Sequence, residues 1–156
     1  MERNALTIAM KTSISEVLET MFFLPLEFPD SERGDDLWGS EKSHGVMSKL
    51  SFSGPIEGYF VLFVPEDVAL SITGNFLGTD EKSVSQEEIE GTVKEIINMI
   101  AGSTFCNYDD QAVFSLGIPV VVHESEVPRN GPNWEEGIFV AIHSLDKRLG
   151  LQMVMT

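Results

Sequence analysis

The sequence predicts one domain of mixed α and β structure, of the α+β type, because blocks of helical and strand-like periodicity follow one another. Residues 5–23 and 85–107 carry apolar side chains at helical spacing. Strand-like runs separated by turn residues lie between and after these helices and predict hairpins, so the sheet should be largely antiparallel. A chain of 156 residues fits a single core, and we expect residues 1–156 to form one domain.

The first half of the chain reads as helix, hairpin and short helix. The first helix should bury one stripe and stop near Pro25; the stripe comprises Met10, Ile14, Val17, Leu18 and Met21. Residues 28–45 are predicted to be a long loop, and residues 46–53 and 57–64 to be two strands of a hairpin. A shorter helix should begin at Pro65 and end at Gly78.

The second half begins with a capping signal and a long helix. Ser85 and Glu88 have the spacing of a capping box, so a helix of about six turns should run from there to about Asn107. Strand-like runs follow at residues 113–114, 120–123, 137–143 and 149–155, the last two as a hairpin connected at 146–148, and residues 125–136 should be a loop.

Composition excludes several classes of function. The net charge of −15 opposes binding to nucleic acid or to anionic lipid. No apolar run has the roughly 18 residues that a membrane span needs, and a cytoplasmic protein is expected. Cys106 is the single cysteine, and His44, His123 and His143 have no ligand spacing, so we expect no metal and no cofactor held by this chain.

The long helix carries two polar side chains on the face opposite its apolar stripe. At about 100° per residue, the isoleucines and valine of this helix fall within one arc of about 100°, whereas Gly91, Glu95 and Asn98 fall on the other side. Glu95 and Asn98 are one turn apart and can reach the same object. A pair of this kind is usually only a solvated surface pair, and that alternative stays open on spacing alone.

The residues around this pair resemble the signature of the CheC/CheX family of chemotaxis phosphatases. That signature has an Asp or Ser, a Glu four residues later and an Asn three beyond on one helix, with a Pro about twenty residues downstream. Glu95, Asn98, residues 99–102 and Pro119 match it, whereas Gly91 stands where the family has Asp or Ser. The resemblance implies a CheC-like fold, with two long helices packed together on one face of the sheet and a pseudo-twofold internal repeat.

The same resemblance implies a function and a partner. The expected substrate is the aspartyl phosphate of a CheY-like response-regulator receiver domain, whose own site holds Mg²⁺ and a lysine. Asn98 would orient the attacking water and Glu95 would meet the lysine, so both are assigned as catalytic residues. The resemblance also implies a homodimer. The alternatives are a non-catalytic receiver-binding or flagellar-switch-like domain, which Gly91 favours, and an oligomeric scaffold.

The first helix repeats the long helix in a degenerate form. A shift of 76 residues lays Ser15 on Gly91, Glu19 on Glu95 and Phe22 on Asn98. This half keeps a Ser and a Glu but has a phenyl ring in place of the carboxamide. We therefore expect one working site, as in the single-site CheX-like members that the chain resembles.

Overall fold

A six-stranded antiparallel sheet forms the centre of the computed structural model, which describes residues 3–29, 45–122 and 137–156. The strand order is β3-β1-β2-β6-β5, and β4 pairs with β1 beside β3. The predicted fold class is confirmed. The strands are β1 Gly45–Ser53, β2 Gly58–Pro65, β3 Ser115–Leu116, β4 Val120–Val122, β5 Ile138–Ser144 and β6 Lys147–Met155.

In the described ranges, three α-helices accompany the sheet: α1 Arg3–Ile14, α2 Glu66–Leu77 and α3 Gln86–Tyr108. A π-helical segment, Ser15–Met21, continues α1, and a 3₁₀ turn, Glu81–Ser83, precedes α3. Alternate residues of the strands share one buried cluster with the helices, so the main core lies between one face of the sheet and the helical layer. Its sheet side includes Leu50, Phe60, Leu62, Val140, Leu151 and Met153.

Helices α1 and α3 are joined along their contact by polar bonds as well as by apolar packing. Asn107 Nδ2 donates to Ser13 Oγ at 3.0 Å, and Ser103 Oγ donates to the Glu16 carboxylate at 2.9 Å. Asn107, the later of the two α3 residues, contacts the earlier Ser13, whereas Ser103 contacts the later Glu16 in the π-helical continuation of α1. The two helices therefore run antiparallel. The long helices therefore pack together as the resemblance implied.

Both predicted hairpins are present, with small shifts at their ends. Ser144 pairs with Lys147, so β5 and β6 are connected by Leu145 and Asp146, whose φ angles of 51° and 63° fit a two-residue type I′ turn. The predicted connection at 146–148 was too late by two residues, because Lys147 and Arg148 already belong to β6.

The strand predicted at residues 113–114 was also misplaced. Strand β3 is instead Ser115–Leu116, which pairs with Ser53 and Phe52 of β1. The Phe114 ring stacks on the Phe105 ring with centroids 3.9 Å apart, so this residue packs against the end of α3 before the chain joins the sheet.

The four long strands are arranged symmetrically. The hairpins β1–β2 and β5–β6 lie side by side, with β2 and β6 as the antiparallel central pair. Strand β5 begins 93 residues after β1, and β6 begins 89 residues after β2. The single offset of 76 residues, which aligns the two helices, therefore does not extend to the strands.

The end of the first helix differs from the prediction. Residues Ser15–Met21 form a π-helical segment, in which each turn holds about one more residue than an α-helical turn. Val17, Leu18 and Phe22 are buried at the end of this helix, whereas Met21, which was predicted to be in the core stripe, is 51% exposed.

The predicted boundaries of α2 and α3 are confirmed. Gly78 ends α2 in the left-handed conformation, with φ of 68°, and its N–H donates to the carbonyl of Gly74. At the start of α3, the Glu88 N–H donates to Ser85 Oγ at 3.1 Å, and the Ser85 N–H donates to Glu88 Oε1 at 2.9 Å. The capping box is thus closed in both directions.

Some predictions lie outside the described residues. These are most of the loop predicted for 28–45, the loop predicted for 125–136, and the positions of His44 and His123.

The capping box predicts a local stability effect. Ser85→Ala should lower the free energy of unfolding by about 1 kcal/mol, because the Glu88 N–H in the first turn of α3 loses its acceptor. Thermal and urea unfolding of the variant measure this loss. Ser83→Ala, in the neighbouring exposed 3₁₀ turn, is the matched control and should change stability by less than about 0.5 kcal/mol. Equal effects of the two substitutions would contradict the role assigned to the cap.

Candidate functional site

Helix α3 is held at one rotation by its apolar face, and this fixes where its polar side chains lie. Ile89, Val93, Ile96 and Ile100 are buried in the main core. On the other side of the helix, Gly91 and Glu95 are exposed and Asn98 is half-buried. The predicted outward placement of Glu95 and Asn98 on one helix face is therefore confirmed, although their chemical role is not thereby tested.

The two side chains have no partner within the part of the chain that the structure describes. No hydrogen bond or ion pair there engages the Glu95 carboxylate or the Asn98 carboxamide. The carboxylate accepts hydrogen bonds, and the carboxamide both donates and accepts them. Their arrangement is suited to a partner that offers a cation to Glu95 and a water molecule or polar group to Asn98.

Gly91 lies in open space on the same face. A Cβ atom built at this residue meets nothing within 4 Å, in contrast to Gly58 or Gly137, where it would collide with the neighbouring strand. Neither a steric constraint nor a positive φ angle requires glycine at position 91. A serine or aspartate at this position is therefore compatible with the fold.

A groove of about 530 Å³ lies beside Glu95, and sequence analysis did not predict it. Its walls come from the end of the π-helical segment, the end of α2 and the outward face of α3. The lining residues are Met21, Phe76, Leu77, Glu88, Gly91, Thr92, Glu95 and Met99. The groove is thus continuous with the face that carries the predicted catalytic pair.

The degenerate counterpart in the first half lacks a polar pair. Ser15 is half-buried and Glu19 is exposed, but Phe22 is only 2% exposed and its ring contacts that of Phe76, with centroids 5.1 Å apart. Phe22 therefore supports the core. This helix presents Glu19 with no carboxamide at the position that corresponds to Asn98.

Neither His143 nor Cys106 lines the groove beside Glu95. Among residues 3–29, 45–122 and 137–156, no three His, Cys, Asp or Glu side chains form a group that could hold a metal ion. His143 is on β5, where it pairs with Arg148 in the β5–β6 register, and it lines a separate pocket of about 580 Å³ with Glu27 and Lys147. Cys106 is exposed near the end of α3.

The helices were also compared with the length and hydropathy that a bilayer requires. None of those in the described ranges is both long enough and apolar enough to cross a membrane.

Comparisons with solved structures find the same fold in chemotaxis proteins. The chemotaxis protein CheX from Vibrio vulnificus matches with a TM-score of 0.75 and 22% identity, over 100% of this chain and 99% of that one. A CheX–CheY–BeF₃–Mg²⁺ complex from Borrelia burgdorferi contains a chain that matches with a TM-score of 0.71 and 15% identity, over 96% and 97%.

The fold also extends beyond proteins called CheX. FliY from Thermotoga maritima matches with a TM-score of 0.62 and 12% identity, over 100% of this chain and 92% of that one. At these identities the structural matches show the fold alone. No sequence among curated proteins matches the chain significantly.

A family model identifies the sequence itself. The model for the chemotaxis phosphatase CheX matches residues 46–143, which include all of α3 and most of β1 and β5. This match covers more than half of the chain, and it agrees with the fold and with the residues on the outward face of α3. The chain therefore belongs to the CheX family of chemotaxis phosphatases.

Proposed function

We propose that this protein is a phosphatase that hydrolyses the aspartyl phosphate of a CheY-like response-regulator receiver domain. The observation that carries the proposal is the joint placement of Glu95 and Asn98, both without a partner in the described structure, on the outward face of a core-anchored helix. Membership in the CheX family supports it, as does the existence of a complex between a CheX and a CheY from another organism.

Asn98 is assigned to the attacking water. A carboxamide is not a base at neutral pH, but it can accept one hydrogen bond from a water and donate another to it, which fixes the water's direction of approach. The water oxygen then forms a bond to phosphorus on the side opposite the aspartyl oxygen. The bond between phosphorus and that oxygen breaks, which leaves a free aspartate carboxylate and inorganic phosphate, and the water's proton leaves with the phosphate or passes to solvent.

Glu95 is assigned to the receiver's lysine. A lysine is a compact cation that pairs well with an exposed carboxylate, and one turn of α3 separates this contact from Asn98. The Mg²⁺ that neutralises the phosphoryl oxygens would belong to the receiver. The chain's own contribution is then to hold a carboxylate and a carboxamide at a fixed spacing.

A non-catalytic receiver-binding or switch-like domain is the second candidate. Gly91 favours it, because this position departs from the Asp or Ser of the phosphatase signature, and the similarity to FliY indicates that the fold is not restricted to proteins called CheX. Both candidates use the same face of α3. They differ in whether Asn98 acts on the bond that breaks.

We further propose that the protein acts in the cytoplasm, where receiver domains work, and that it assembles as a homodimer. Strand β5 ends the sheet, and among the residues that the structure describes only Glu27 pairs with its outer edge, at His143. An edge strand can extend a sheet into a second subunit. Light scattering at micromolar concentration should give the mass of a dimer, about twice 17.3 kDa; a monomer mass over that whole range would refute the assembly.

The two candidate functions are separated by substitutions at Asn98 and Glu95. Asn98→Ala should remove most turnover of a phosphorylated receiver while it leaves affinity nearly unchanged, because the amide acts chiefly in the transition state. Glu95→Gln should weaken association and reduce its dependence on salt, because a charged contact is lost. Dephosphorylation rates and binding are measured on receivers phosphorylated with a small-molecule phosphodonor.

Two matched variants serve as controls for this experiment. Gln111→Ala removes an exposed amide beyond α3, and Glu57→Gln neutralises an exposed carboxylate between β1 and β2. Both should behave as the unmodified protein does. Full turnover by Asn98→Ala would reject the catalytic assignment and leave the binding domain as the function.

Gly91 gives a further test of the same face. Gly91→Ser and Gly91→Asp should keep or raise turnover, since a Cβ at this position meets open space. Each should also stabilise the protein by a few tenths of a kcal/mol, because glycine is unfavourable inside a helix. Turnover and thermal unfolding are measured together. A large loss of turnover in a normally folded variant would mean that the receiver's backbone approaches Gly91 closely.

A further inference from the structure

The groove beside Glu95 exposes large apolar side chains. Phe76 is 53% exposed, Met21 is 51% exposed and Leu77 is 40% exposed, and Met99 is half-buried behind them. Contiguous apolar surface on a protein is characteristic of a binding site, whereas apolar side chains scattered singly are not. The four residues come from three separate elements and line one groove.

The local backbone turns one of these side chains outward. Met21 ends the π-helical segment, and the wider turn removes it from the stripe that it would join in an α-helix. Phe22 is buried instead, and its ring supports that of Phe76 at 5.1 Å. The packing of Phe22 against Phe76 therefore keeps Met21 and Phe76 at the surface.

The groove is also continuous with the proposed catalytic face. Glu95 and Gly91 belong to its lining, and Asn98 is the next residue toward the C-terminus on that face of α3. A protein whose lysine is paired with Glu95 lies next to this groove, because Glu95 is one of its lining residues. The surface that surrounds such a lysine is the part of the partner nearest to Met21, Phe76 and Leu77.

The charged residues at the rim of the groove indicate which kind of ligand would be complementary to it. Glu88 and Glu95 are its charged lining residues, and both are acidic. One oxygen of Glu88 is fixed by the Ser85 N–H in the capping box, so this carboxylate is held in place before a partner binds. The complementary ligand is an apolar side chain next to lysine or arginine, because these cations lie opposite the two carboxylates.

We propose that this groove binds an apolar side chain on the receiver surface next to the lysine that pairs with Glu95, and that it determines which receivers are substrates. The proposal rests on the proposed receiver-directed function. The phosphoryl group, Mg²⁺ and lysine are alike in every receiver of this kind, so Glu95 and Asn98 do not distinguish one receiver from another. Discrimination would then come from the side chain that enters the groove, and the two methionines in the walls can adapt to its shape.

The test uses a groove variant against a matched surface variant. Met21→Gln combined with Leu77→Gln keeps similar side-chain length at two exposed positions but makes the groove polar. We expect the KM for the phosphorylated receiver to rise about tenfold, with kcat changed less than about twofold and with the salt dependence of binding unchanged. Ile8→Gln, at a 65% exposed apolar position on α1 outside the groove, should leave both constants unchanged.

A second measurement needs no substitution. The unmodified protein, labelled with ¹³C at its methionine methyl groups, is titrated with the receiver loaded with beryllium fluoride and Mg²⁺. The Met21 and Met99 signals should shift, and those of the buried Met10 and Met153 should not.

The outcomes separate this proposal from the proposed function. If Asn98→Ala abolishes turnover but the groove variant keeps the original KM and the Met21 and Met99 signals stay in place, only the groove assignment is overturned. If the Met21 and Met99 signals shift and the KM rises while Asn98→Ala turns over normally, the groove binds the receiver and the catalytic assignment fails. If the groove variant loses more thermal stability than Ile8→Gln does, its KM no longer isolates the groove. The shifts of the Met21 and Met99 signals in the unmodified protein then decide the outcome.

Discussion

The burial of one side of α3 against α1 and the sheet is the constraint on which the candidate site depends. Each buried isoleucine or valine contributes roughly 1.5–3 kcal/mol relative to exposure, and Ile89, Val93, Ile96 and Ile100 lie on the same side. A rotation of the helix by one residue would remove several of them from the core. Glu95 and Asn98 are therefore positioned by side chains that never contact a partner.

The rotation and ends of α3 were predictable because several local signals agree. The apolar period, the capping box at Ser85 and the polar pair are all contained in α3 and its N-cap residue. The π-helical segment was not predictable in this way. Phe22, which follows the segment, packs against Phe76 more than fifty residues away, and the sequence of residues 15–21 is equally compatible with the α-helical spacing of Met21.

The groove, too, could not be predicted from the sequence, because it depends on contacts between distant segments. Glu95 and Asn98 could be identified as a pair because they share a helix turn, but the groove joins Met21, Leu77 and Met99 from three elements. Nothing in the sequence near any one of them indicates the others. The signal that was available was weaker: Phe76 and Leu77 are large apolar residues just before the Gly78 that ends α2, where solvent exposure is common.

The inward position of Phe22 determines what a second polar pair on the first helix would require. Replacing Phe22 with asparagine would remove a core ring, at about 3–5 kcal/mol, and would leave an amide inside the protein without water. Position 22 points into the core, so an asparagine there would replace a core ring and would not face solvent. A second carboxamide at the surface thus requires a different backbone course as well as a new side chain, so the paired arrangement is far easier to lose than to regain.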